Sequence, residues 1–104
     1  MRRPLRIEGD LVMQMAFDHG SMDGGIPLPQ PESTGDELLK MALLYSTGQG
    51  GAPLDYVSAH MLFNLAAMRG SVEAKVYRKE LAHEMASDEV AEAQRQARQW
   101  LARG

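Results

Sequence analysis

The stretch that decides the fold is Ala42–Gly70, "ALLYSTGQGGAPLDYVSAHMLFNLAAMRG". Two apolar runs flank a turn with glycines at 48, 50 and 51. A glycine-rich loop between such runs has two readings, a phosphate cradle or a reversal between helices. A P-loop needs Lys and then Ser or Thr after its last glycine. Here Gly51 is followed by Ala52 and Pro53. A dinucleotide loop follows a strand, whereas the residues before Gly48 recur at helical spacing: Leu38, Leu39, Ala42, Leu43 and Tyr45. Asp55 also places a negative charge at the start of the second run, where an anion would have to sit. The stretch therefore reads as a turn. Gly48 ends one helix in a left-handed conformation, Gly50 and Gly51 reverse the chain, Pro53 stiffens the exit, and Asp55 caps the next helix.

The surrounding signals extend this reading. Thr34 and Glu37 have capping-box spacing before the first helix. The second helix, 56–69, is apolar almost all round, with Val57, Met61, Leu65 and Met68 on one side and Ala59, Leu62, Phe63 and Ala66 on the other. A helix of that kind is buried between neighbours. Only His60 and Asn64, four apart, give it a polar stripe. Gly70 stops it, Ser71 caps a third helix over 72–86, and Ser87 caps a fourth over 88–103. The fourth helix carries Asp88, Glu89 and Glu92 early and Arg95, Arg98 and Arg103 late, the order that the helix dipole favours. Turns this short make neighbouring helices antiparallel.

Residues 38–74 resemble a Sel1-like repeat, a helix-pair repeat related in architecture to the tetratricopeptide repeat. The resemblance is carried by Ala42 at the small position of the first helix, Tyr45 near its end, Gly48 and Gly50 as the G-x-G turn, and Asp55 as the cap. Ala59, Phe63, the pair Ala66-Ala67, the closing Gly70, and Ala74 opening the next unit complete it. The chain departs from the pattern in a longer turn, in Gly51 where valine is common, in Leu62 where an aromatic is common, and in Lys79 near an expected small residue. The resemblance implies an all-α fold of antiparallel helix-turn-helix units: one complete repeat, one partial repeat and a C-terminal capping helix. It also implies a protein–protein interaction module, an adaptor or scaffold. In such repeats one helix of each pair lines a concave surface, which nominates Tyr56, His60 and Asn64 as partner-binding residues for a protein or peptide. Repeat arrays need about three units for stability, so the last helix, the N-terminal segment or a second copy of the chain must cover the apolar faces.

The N-terminal 1–33 divides from this domain, 34–104, by composition. Residues 20–35 hold Pro27, Pro29 and Pro31 among glycines and small polar residues, the composition of a spacer. Before it, "DLVMQMAFDHG" fits a short helix from Asp10 to Gly20, although Leu11, Met13, Met15 and Phe17 also alternate as in a strand.

Chain-wide composition narrows the function classes. With 104 residues, 44% hydrophobic and 24% charged, the chain suits one small domain. A net charge of −3 speaks against a general nucleic-acid binder. There is no cysteine, hence no disulfide and no thiol chemistry. Arg2, Arg3 and Arg6 are followed too soon by Glu8 and Asp10 for a signal peptide, and no apolar run is long enough to span a membrane. The expectation is a cytoplasmic protein.

Sites for chemistry are weaker. "HEMAS" at His83 lacks the second histidine of the H-E-x-x-H zinc motif. Met13, Met15, His19 and Met22 form a soft cluster of the type that binds Cu(I), but methionine is more often core filler. Glu80 and Glu84, with His83 alongside, have the spacing of a solvated helix face. No catalytic residue, cofactor or metal is assigned. The rival class is a small enzyme or metal-handling protein using His60, His83 or the methionine cluster.

Overall fold

The computed structural model describes residues 29–52 and 54–103. The N-terminal candidates Met13, Met15, His19 and Met22, the short helix from Asp10 and the role of Pro53 lie outside them. Among the described residues the chain forms four α-helices and no strand: α1 (Gly35–Thr47), α2 (Tyr56–Met68), α3 (Val72–Glu84) and α4 (Ser87–Arg103), with a short 3-10 turn (Gln49–Gly51) between the first two.

The helix ends form where the caps dictate. At the start of α1 the Thr34 hydroxyl accepts from the Glu37 N–H at 3.1 Å, and the Glu37 carboxylate accepts from the Thr34 N–H at 2.8 Å. Its C-terminus closes on Gly48 (φ 72°), whose N–H donates to the Leu44 carbonyl at 2.8 Å. An L side chain there would be strained, so glycine is required. Asp55 caps α2, accepting from the Ser58 N–H at 3.1 Å and from its hydroxyl at 2.8 Å. α2 ends in a Schellman arrangement: Ser71 N–H donates to Ala66 and Gly70 N–H to Ala67. Ser71 then caps α3 through the Ala74 N–H.

One cap differs from expectation. Ser87 is the first residue of α4, not its cap. The Ala86 carbonyl takes the N–H groups of Glu89 and Val90, so the first turn winds one residue earlier. Glu89 completes that end by accepting from the Ala86 N–H at 2.9 Å, the half of a capping box that needs no hydroxyl at the cap.

α1 and α2 form a tight antiparallel pair. The Asp55 N–H bonds the Tyr45 carbonyl at 3.0 Å at one end. At the other, Gly35 lies so close to the end of α2 that a β-carbon would stand 2.7 Å from the Arg69 carbonyl oxygen. Ala42, Ala59 and Ala66 are fully buried, and it is these small side chains that let two helices approach. Around them Leu38, Leu43, Leu62, Phe63 and Leu65 fill the core.

The second half is built differently. α2 is the central helix, packed against α1, α3 and α4. α3 and α4 make little direct contact with each other although only Met85 and Ala86 join them. A short turn therefore joins these two helices without packing one on the other. Each of these helices has its own seam on α2. α3 buries Ala74 and Leu81, with the Tyr77 ring 5.7 Å from that of Phe63 and tilted 35° to it, and α4 buries Ala93 and Ala97. Arg69 fastens the outer parts: its guanidinium donates to the Ser33 carbonyl and lies 5.3 Å from the centroid of the Trp100 ring.

Candidate functional site

Because α3 and α4 diverge across α2, they leave a groove of about 490 Å³ between them. Each of the three helices lines it with residues at helical spacing. α2 supplies His60 and Asn64, α3 supplies Lys75, Arg78, Lys79 and Ala82, and α4 supplies Val90 and Gln94. Spacings of three, four and seven put the α3 residues on one stripe.

Two of the three side chains nominated for partner binding, His60 and Asn64, line this groove, and Tyr56 does not. It lies one turn before His60 and is buried in the core at 3% exposure. Asn64 is half-buried at the groove wall, where its amide oxygen accepts from an Arg78 Nη1 at 2.6 Å. That bond fixes the guanidinium of a side chain that would otherwise be free to sweep. His60 is 3% exposed, and its Nδ1 is buried with no hydrogen-bond partner. Burial, and then the nearby charge of Arg78, push the imidazole pKa below its ordinary value, so the ring is neutral at pH 7.

The electrostatics of the groove run against those of the chain. The sequence carries a net charge of −3, yet the groove is lined by three cations and no carboxylate. Lys75 lies three residues before Arg78 and four before Lys79 on one helix, spacings at which like charges repel. Neither lysine makes an ion pair among the described residues, and both are exposed. A second hollow of about 250 Å³, between α2 and α4, offers a contrast; Met61, Arg95, Gln96, Gln99 and Trp100 line it. Its one cation is already engaged: Arg95 Nε donates to Glu92 at 2.8 Å, and this contact with a second from Gln96 draws the Glu92 carboxyl down to about 2.

The remaining sequence candidates gather no chemistry. Glu80, His83 and Glu84 are exposed on α3. Among the described residues no group of three His, Cys, Asp or Glu side chains is placed to hold a metal ion. Gly48, Gly50 and Gly51 all have positive φ, and they serve the turn, whose next anchor is the Asp55 cap. None of the described helices is long and apolar enough to cross a membrane.

Lys75, Arg78 and Lys79 were the residues that sequence reasoning missed. Their spacing was visible, but α3 carries Glu73, Glu80 and Glu84 as well, and a mixed-charge helix reads as a solvated surface. Helical spacing alone puts the cations and the carboxylates on opposite sides of α3; what no local pattern encodes is that α4 stands across from the cation side and makes a groove of it. Compared with protein-family models, with curated proteins and with solved structures, the chain matches none.

Proposed function

We propose that this chain is a protein-interaction module that holds an acidic segment of a partner protein in the groove between α3 and α4. The observation that carries the reading is the cation stripe Lys75, Arg78 and Lys79, facing an uncharged wall of α4 with no carboxylate in the lining. Three like charges within two turns cost stability unless an anion lies between them. An acidic peptide supplies that anion, and Asn64, Gln94 and the apolar Ala82 and Val90 supply contacts that do not depend on charge. Binding of this kind is steered by electrostatics and weakens with salt.

The proposal keeps the adaptor role that the Sel1-like resemblance implies, with α1 and α2 as the helix pair, and a cytoplasmic setting. It moves the binding face from the Tyr56–His60–Asn64 stripe alone to the groove in which His60 and Asn64 form one wall. Fluorescence anisotropy tests it. A labelled peptide rich in Asp and Glu should bind the full chain saturably and lose affinity from 50 to 300 mM salt, while basic and neutral peptides of equal length should not bind. Equal binding of all three peptides contradicts the proposal. Displacement of the acidic peptide by a single-stranded oligonucleotide at matched concentration would move the reading to nucleic acid.

A further inference from the structure

The charge and geometry of the groove floor say which anion it fits. We infer that the group seated there is a phosphoryl group, carried on a side chain of the bound peptide and held over His60 by Arg78, Lys75 and Lys79. This rests on the acidic-segment reading and makes it specific.

The first argument is charge. One carboxylate carries a single negative charge and would leave most of the positive charge of the stripe uncompensated. A phosphorylated side chain carries about −1.5 to −2 at neutral pH and presents three strong acceptor oxygens. The donors here outnumber what a carboxylate can accept: two ammonium groups, a guanidinium and the Asn64 amide all reach the same groove.

Orientation is the second. The Arg78 guanidinium is a planar fork already pinned through one nitrogen to Asn64. Its remaining N–H groups are held in a fixed direction, the preorganised form that suits bidentate contact with phosphate.

The third is His60. A buried polar atom without a partner is costly, and a native fold keeps one where something else supplies the bond. His60 Nδ1 is such an atom, on a residue with 3% exposure that lines the groove floor. Nδ1 is closed to solvent in the unbound fold, so in the Nδ1–H tautomer it donates to a phosphoryl oxygen only after the side chains over it shift on binding. Burial and Arg78 hold the ring neutral when the groove is empty. A bound dianion works in the opposite direction and favours the imidazolium. The other charged groups lining the groove, Lys75 and Lys79 on α3, oppose protonation as Arg78 does, and α4 contributes only the uncharged Val90 and Gln94.

Isothermal titration calorimetry on the full chain tests this with one acidic peptide made in four versions, bearing at its centre Ser, Glu, a Glu-Glu pair or phosphoserine. The phosphoserine version should bind about tenfold more tightly than the Glu-Glu version of similar charge, the margin expected of charge-assisted, geometrically matched bonds. R78K, which keeps the charge and loses the fork, should bring the two affinities together. Equal binding of the phosphoserine and Glu-Glu peptides overturns the phosphoryl site and leaves the acidic-segment reading standing. Failure of all four peptides overturns both. Inorganic phosphate binding as tightly as the phosphoserine peptide would overturn the peptide as its carrier. The wild-type comparison stands even if R78K does not fold.

Discussion

The two halves of this molecule use the same central helix in opposite ways. Against α1, α2 presents Ala59 and Ala66, meets Ala42, and closes so tightly that Gly35 has no room for a side chain. Against α3 and α4 it presents separate seams and leaves the space between them open. Small side chains and paired caps at both ends make the first half a scaffold. The second half is capped too, but it buries less: α3 fully buries one large side chain, Leu81, and α4 buries only alanines in full. Two helices that pack on a shared helix and not on each other leave a groove, and its lining holds three cations and no carboxylate.

The largest effects should separate the halves by their mode of unfolding. Leu43→Ala removes a fully buried side chain from the tight pair and should cost about 2–5 kcal/mol in chemical denaturation, spread over the whole chain. Leu81→Ala removes the one large anchor of α3. Amide exchange should then show α3 opening while α1 and α2 stay protected. Uniform loss of protection in both variants would mean that the halves are one cooperative unit.

Gly35→Ala comes next. A methyl group facing a backbone oxygen at 2.7 Å forces the start of α1 away from the end of α2 and should cost about 1–3 kcal/mol. Gly51 gives the reference, since a β-carbon there meets nothing within 4 Å and only its φ of 81° opposes substitution. Equal costs at the two positions would argue against the close approach.

His60 sets a smaller, pH-dependent effect. Its pKa is depressed in the folded state, so the unfolded chain binds the proton more readily. Its contribution is complete above the unfolded value near 6.5 and is lost as pH falls below it, until the folded pKa is passed. Urea denaturation between pH 7.5 and 5 should show stability falling with pH, with a shallower fall in His60→Gln. The same slope in both proteins would place the proton elsewhere.

The smallest effect on stability should come from the groove itself. Lys75 and Lys79 are exposed and repel their neighbours, so Lys75→Ala with Lys79→Ala should change stability by no more than about 0.5 kcal/mol while weakening acidic-peptide binding.

Much of this difference was legible in the sequence, and the reason is local. Thr34 with Glu37, Gly48, Asp55, Gly70 and Ser71 act over a few residues, and their hydrogen bonds form as their spacing implies. The apolar circumference of α2 announced a central helix. Ser87 misled because the hydroxyl rule was applied without the alternative, in which Glu89 closes the turn from within. Tyr56 misled because period alone cannot say how deep a stripe sinks, and its ring lies in the core while His60 and Asn64 reach the groove. Lys79, noted in the sequence only as a departure from a small residue, lines the groove. The groove was illegible because it depends on α3 and α4 failing to pack, a property of three helices together.

The most direct test of the central claim is to map the bound peptide on the full chain by amide chemical shifts. The account predicts that an acidic peptide shifts Asn64, Lys75, Arg78, Lys79 and Gln94 and leaves the turn from Gly48 to Asp55 unmoved. Shifts centred instead on Met61, Gln99 and Trp100, or spread evenly over exposed lysines and arginines, would contradict it.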